Sequence, residues 1–132
     1  MDRAVGTTAR AITDTQLPRD PDAELADDSY DLITHVMRAK RWSTRTFGPG
    51  DRTVGVVAHI RKELDEVLAA NGQSLEEWID VVILALDGAW RAGFTPEQIA
   101  QALDAKQTKN EGRTWPDWRQ FTAGDPIEHV RD

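Results

Sequence analysis

Apolar residues recur at helical spacing in four stretches of the chain. Tyr30, Ile33, Val36 and Met37 mark a first helix, roughly 29–41, with Asp28 or Ser29 as its cap. Val56, Ile60, Leu64, Val67 and Leu68 form the stripe of a second, about 54–70, opened by Thr53 and ended by Asn71-Gly72. A third runs from Ser74 to about Arg91, with Gly93 as its stop, and Ser74-Leu-Glu-Glu77 fits a capping box. Thr95-Pro-Glu-Gln98 opens a fourth, with proline in its first turn, that reaches about Lys109. The segment STRTFGPGD, 43–51, reads as a loop by its Gly-Pro-Gly, and the stretch after the fourth helix reads as irregular with one short helical turn. No segment shows a strand pattern and no repeat appears. The pattern therefore predicts an all-α domain built on a compact bundle of four main helices.

Residues 1–27 break the pattern. They hold two prolines, many short polar residues and no sustained apolar period. They read as an extended or loosely packed arm, alternatively one that docks on a neighbouring subunit, ahead of a single domain at 28–132.

Composition narrows the function classes. The chain has 132 residues, 39% of them apolar, and a net charge of −7. That balance argues against a broad footprint for nucleic acid or an anionic membrane, and permits a site that gathers cations. There is no cysteine, which removes disulfides, thiolate metal sites and thiol nucleophiles. No apolar run approaches the roughly 18 residues of a membrane span. The N-terminus lacks the basic-then-apolar order of a signal peptide, so the expected compartment is the cytoplasm, that of the host if the protein is phage-encoded.

Acids stand out against this background. Glu63 and Glu66 are three apart, as are Glu77 and Asp80, and each pair therefore shares a helix face bordering the inward stripe. A short loop between the second and third helices makes them antiparallel, so the two pairs face each other across a gap of roughly 8–10 Å between axes. Four carboxylates there cannot all stay charged without cations, and their hard oxygens suit magnesium or manganese. Two plainer readings compete: such pairs often decorate solvated faces, and Glu77 completes the capping box with Ser74. Joint occurrence beside apolar positions on adjacent helices favours the metal site. A di-iron bundle would need Glu-x-x-His motifs, and none occurs.

Other residues extend the candidate site. Asp87 lies seven beyond Asp80 on nearly the same face, and either turns outward near the helix end or meets a partner, since an unpaired buried carboxylate is costly. Lys106 and Asn110, four apart in KQTKN, share a face that suits phosphate oxygens, or else form a solvated helix end where lysine favours the dipole. His35 and His59 have no zinc partner set and read first as hydrogen-bonding core or rim residues; the alternative for His59, one turn before Glu63, is to support that carboxylate. Trp42, Phe47, Trp115 and Trp118 flank loops, as packing anchors or base-stacking platforms.

These strings carry a family resemblance. Glu63-x-x-Glu66 followed by Glu77-x-x-Asp80 looks like the metal motif of the MazG-type all-α nucleotide pyrophosphohydrolases. RWSTRTFGPGDRTVGVVAHIRKELDEV, EEWIDVVILALDGAWRAG, KQTKNEGRTWPDWR and IEHVR resemble the dATP/dGTP diphosphohydrolase branch of phages and bacteria, over about residues 35–131. The chain is also similar to the MazZ enzymes of phages that replace adenine with 2-aminoadenine. Glu66 and Glu77 are closer together than in the wider family, which implies a tight turn.

The resemblance implies cleavage of a purine nucleoside triphosphate between its α and β phosphates, to monophosphate and pyrophosphate. dGTP, with GTP, is the favoured substrate, and dGMP would then feed synthesis of the 2-aminoadenine nucleotide; a housecleaning hydrolase of both dATP and dGTP is the close variant. Two or three Mg2+ or Mn2+ ions on Glu63, Glu66, Glu77 and Asp80 would neutralise the triphosphate and acidify a bound water. Glu63 or Glu66 would orient that water. Lys106 and Asn110, aided by Arg113, would contact phosphates; Asp87 would serve the sugar or an outer metal; Trp42, Ser43 and Phe47 would shape the base pocket. Family members assemble as dimers or tetramers whose neighbours complete each pocket, which suits four helices with a modest core. The competing class is a non-catalytic acidic helical interaction protein whose carboxylates form a partner-facing patch.

Overall fold

The computed structural model describes residues 30–131. The arm at 1–27 and the caps expected at Asp28 and Ser29 lie outside the described residues. From Leu32 onward the chain forms one compact unit. It holds four α-helices: α1 (Leu32–Phe47), α2 (Thr53–Ala69), α3 (Leu75–Arg91) and α4 (Pro96–Glu111), followed by a 3-10 turn at Trp118–Gln120. No strand occurs among the described residues. The all-α expectation holds, and the four helices fall in the four periodic stretches.

Boundaries depart from expectation where local chemistry overrides periodicity. α1 runs six residues past 41, so most of the expected loop at 43–51 is helical. The helix stops only where Gly48 enters the left-handed region at φ 88°, its N–H bonded to the Thr44 carbonyl at 3.0 Å. Ser43, Thr44 and Thr46 are poor but tolerated helix formers, and nothing before the Gly-Pro-Gly forces a break. Thr53 is not the cap of α2 but its first residue. The Asp51 carboxylate accepts from both its N–H and its hydroxyl, at 2.7 and 2.6 Å, and so satisfies an orphan amide.

The capping box predicted at Ser74 is also absent: Ser74 precedes α3, but its side chain makes no cap bond. Glu77 is turned elsewhere, as described below. At Thr95 the box does form. The Gln98 N–H donates to Thr95 Oγ1 at 3.0 Å, and Gln98 Oε1 accepts from the Thr95 N–H at 2.9 Å, with Pro96 at the first helical position. The α2–α3 turn is tight because Asn71 and Gly72 both take positive φ, 54° and 69°. The Trp78 indole closes it by donating to the Gly72 carbonyl at 3.1 Å.

Val56 packs beside Gly88, where an added Cβ would lie 3.4 Å from the valine, and Glu63 lies near Asp80. Residues rising along α2 thus meet residues falling along α3, which makes the hairpin antiparallel. α3 is the hub: it contacts α1, α2 and α4, whereas α2 packs on α3 alone. The core joins Val36 of α1, Trp90 of α3 and Ile99 of α4, backed by Leu32, Leu86 and Ala89. Val36 is fully buried, worth about 1.5–3 kcal/mol relative to exposure. Trp90 lies under the Arg91 guanidinium at 4.5 Å and the Lys40 ammonium at 5.7 Å. Its buried Nε1 has no hydrogen-bond partner among the described residues.

Candidate active site

Glu63, Glu77 and Asp80 each offer a carboxylate oxygen, all within 4.8 Å of one another. Two helical phases meet here: Glu63 shares the α2 face of buried Val56 and Val67, and Glu77 and Asp80 lie one turn apart on α3. Glu66 is not in that trio but lies close enough to act on it. The Glu77 carboxyl is pushed above its ordinary value by partial desolvation, then by the charges of Asp80, Glu66, Glu63 and Glu76. Glu77 makes no cap bond at Ser74 and instead lies in an acidic cluster that would gain from a cation. Three hard oxygen donors this close could hold a metal cation. His59 Nε2 lies 3.4 Å from the Glu63 carboxylate, one turn away on the same helix.

A cleft of about 420 Å³ leads from these acids. Glu63, Asp80 and His59 line one part of it. Trp42, Ser43, Phe47 and Asp87 also line it, with apolar walls from Val56, Ile83 and Leu84. The Trp42 and Phe47 rings meet edge to face, centroids 5.4 Å apart at 84°. Five of the residues singled out by sequence, Trp42, Ser43, Phe47, His59 and Asp87, therefore share one cavity with Glu63 and Asp80.

Asp87 meets a partner rather than solvent. Arg91, one turn on, donates from Nε to Asp87 Oδ2 at 2.7 Å. The rest of its guanidinium is equally engaged. Nη1 donates to the Gly48 and Gly50 carbonyls at 2.8 and 2.9 Å, and Nη2 to Ser43 Oγ at 2.8 Å and the Ser43 carbonyl at 3.3 Å. All five donors are thus used, by a side chain only 1% exposed. Sequence reasoning missed Arg91. Its i,i+4 pairing with Asp87 is a readable signal, but its partners in α1 and the loop after it are 41–48 positions away.

Arg52 was missed as well. It precedes α2 and is the lone arginine or lysine among the residues lining the cleft.

Lys106, Asn110 and Arg113 do not line this cleft. They gather at the far end of α4, where Arg113 Nη1 donates to Asn110 Oδ1 at 3.0 Å. The Trp115 indole donates to the Asn110 carbonyl at 2.7 Å and meets the His129 ring at 5.9 Å. The Val130 N–H, bonded to the Thr114 carbonyl at 2.8 Å, fastens the chain end here. His129 is held below the usual histidine value by desolvation, then by the positive charges of Arg113, Arg131 and Lys106. The three phosphate candidates thus form a basic group of their own. Trp118 is 70% exposed and stands apart from the cleft.

Comparison with known proteins follows the same residues. The model of the dATP/dGTP pyrophosphohydrolase family matches residues 35–132. A dATP/dGTP diphosphohydrolase of Salmonella phage PMBT28 is 41% identical over 75 residues, which are 56% of this chain and 24% of that protein. The chain thus spans about a quarter of the length of that relative. No solved structure matches it.

Proposed function

The chain belongs to the dATP/dGTP pyrophosphohydrolase family, and from that premise we propose that it hydrolyses a purine deoxynucleoside triphosphate to the monophosphate and pyrophosphate, with dGTP preferred and GTP accepted. The observation that carries this reading is one cleft lined both by carboxylates and by an edge-to-face aromatic pair. The first suits a cation-bound triphosphate, the second a flat base. Family membership favours catalysis over the interaction-protein alternative.

Glu63, Glu77 and Asp80, with Glu66 beside them, would hold two or three Mg2+ or Mn2+ ions. When bound, such ions supply charge neutralisation for the phosphates and acidification of water. Glu63 or Glu66 orients the water for attack on phosphorus. His59 steadies Glu63. Trp42 and Phe47 hold the base, and the apolar wall of Val56, Ile83 and Leu84 keeps bulk water from it.

Lys106, Asn110 and Arg113 serve the phosphates from a neighbouring copy of the chain, in a dimer or tetramer. Two observations support this. The three residues lie outside their own chain's cleft. Several large apolar side chains of the hairpin also stay exposed, Leu68 at 74%, Leu75 at 59% and Val82 at 49%. In a phage, the dGMP produced would feed synthesis of a 2-aminoadenine nucleotide in the host cytoplasm. No helix among the described residues is long and apolar enough to cross a membrane.

Pyrophosphate release from a panel of nucleoside triphosphates, with and without magnesium, tests the reading. Release from dGTP and dATP that requires the ion is expected. No release from any purine triphosphate overturns it.

A further inference from the structure

We propose that Asp87, held by Arg91, is the base-reading residue of the cleft, and that its carboxylate selects the donor edge of guanine over the mixed edge of adenine. The inference rests on the nucleotide reading above, but concerns an atom that reading leaves unassigned.

The position comes first. Asp87 follows Asp80 by seven residues on one helix, a rise of about 10 Å. That is the scale separating the phosphates of a nucleotide from the far edge of its base. With the triphosphate at Glu63, Glu77 and Asp80, Asp87 stands at the base end. A carboxylate there repels phosphate and so does not extend the phosphate site.

The chemistry comes second. Arg91 Nε engages Asp87 Oδ2 at 2.7 Å, and among the described residues Oδ1 takes no hydrogen bond. Asp87 lines the cleft and its side chain is 16% exposed. The cleft therefore presents a fixed acceptor whose rotamer is locked from behind. An ionised carboxylate accepts and never donates. The guanine pairing edge offers it adjacent donors, N1–H and the 2-amino group. Adenine offers the 6-amino group beside N1, whose lone pair a carboxylate oxygen repels. A site built to receive donors discriminates strongly against a ligand that lacks them.

The lock comes third. All five guanidinium donors of Arg91 are engaged, and three of the bonds besides that to Asp87 reach backbone carbonyls at Ser43, Gly48 and Gly50. The same arginine therefore fixes the acceptor and the end of α1 that carries Trp42 and Phe47. Arg91 is a positioning residue. Lysine has three donors in no fixed plane and cannot reproduce the arrangement.

Equilibrium binding of dGMP, dIMP and dAMP to the full chain, followed by tryptophan fluorescence without added metal, reads the base preference apart from catalysis. The expected order is dGMP, then dIMP, then dAMP, with dGMP at least about tenfold tighter than dAMP. Asp87→Asn keeps its oxygen on Arg91 and turns its amide donor to the cleft, where it suits adenine N1 and opposes guanine N1–H, so the dGMP-to-dAMP ratio should fall by about tenfold or invert. Arg91→Lys should lower the ratio while dAMP binding changes less. Circular dichroism establishes that each variant keeps its helices. If a variant does not fold, the order of the three ligands on the parent decides. Equal binding of dGMP and dAMP by the parent overturns the proposal. So does an Asp87→Asn variant that weakens both nucleotides alike, which would place Asp87 on the sugar. A parent that prefers dGMP but releases no pyrophosphate from dGTP would sink the hydrolase reading and leave the base assignment standing.

Discussion

Arg91 Nη2 donates to Ser43 Oγ at 2.8 Å, joining α3 to α1 across 48 positions of sequence. Ser43 is 3% exposed, so its hydroxyl serves this bond in a nearly closed space. Ser43→Ala should leave a buried charged donor short of one acceptor and destabilise the fold by roughly 1–3 kcal/mol. Urea unfolding followed by circular dichroism measures it. A loss below experimental error would mean that water or the Ser43 carbonyl replaces the hydroxyl without cost.

The carboxylate trio should bind a divalent cation. Isothermal titration with manganese should show binding that Asp80→Asn and Glu77→Gln weaken strongly. Glu66→Gln should weaken it less, because Glu66 stands outside the trio. Unchanged binding in both strong variants would leave an acidic patch without a metal role.

Glu77 gives the metal-free protein a pH signature. Its carboxyl is raised above the ordinary 4.5, so the folded chain keeps this proton to higher pH than the unfolded chain. Stability from the group is fully present below that value and is lost as pH rises through the folded pKa. With a chelator present, the melting temperature of Glu77→Gln should therefore gain on the parent as pH rises from about 4 to 7. Saturating manganese should reverse the comparison, since the parent then gains the binding energy the variant lacks. A constant difference across pH would show that the carboxyl titrates normally.

Lys106→Ala should impair turnover while leaving manganese binding intact. The lysine is assigned to phosphate and lies outside the cleft of its own chain. Mixing Lys106→Ala with Glu77→Gln should restore part of the activity if pockets form between copies, because some mixed sites would carry neither change. Absence of any recovery, with mixed assemblies verified by mass, would put both residues in one chain's site.

Trp42→Ala should raise KM for purine triphosphates more than it lowers kcat, since it removes base contact and spares the acids. A stacking ring contributes roughly 1–3 kcal/mol, or about 5- to 150-fold in kcat/KM. An equal loss with a pyrimidine triphosphate would indicate a role in closing the cleft instead.

Much of this architecture is legible in the pattern of residues. Helical spacing located all four helices, and Thr95-Pro-Glu-Gln98 announced a cap that forms bond for bond. Three of the four acids meet because paired spacing on adjacent antiparallel helices leaves them little choice. One failure is local, since Asp51 takes the capping role expected of Thr53, and the others come from competition by partners distant in sequence. Ser74 and Glu77 satisfy the capping rule, yet Glu77 faces the acids of α2. STRTF carries turn-favouring residues, yet Arg91 holds Ser43 and helps keep that stretch helical. Lys106 and Asn110 share a helix face as expected, but nothing local says which cleft that face addresses.

The contact map of the helices has a mechanical consequence. Trp42 and Phe47 belong to α1, while His59 and Glu63 belong to α2, and these two helices line the cleft without packing on each other. Each is seated on α3 separately. The two walls are joined to each other only through α3 and through the short span from Gly48 to Arg52, whose Gly48 and Gly50 carbonyls Arg91 holds. The shape of the cleft mouth is therefore set by how α3 seats each wall, with one guanidinium tying the connecting loop to that shared support.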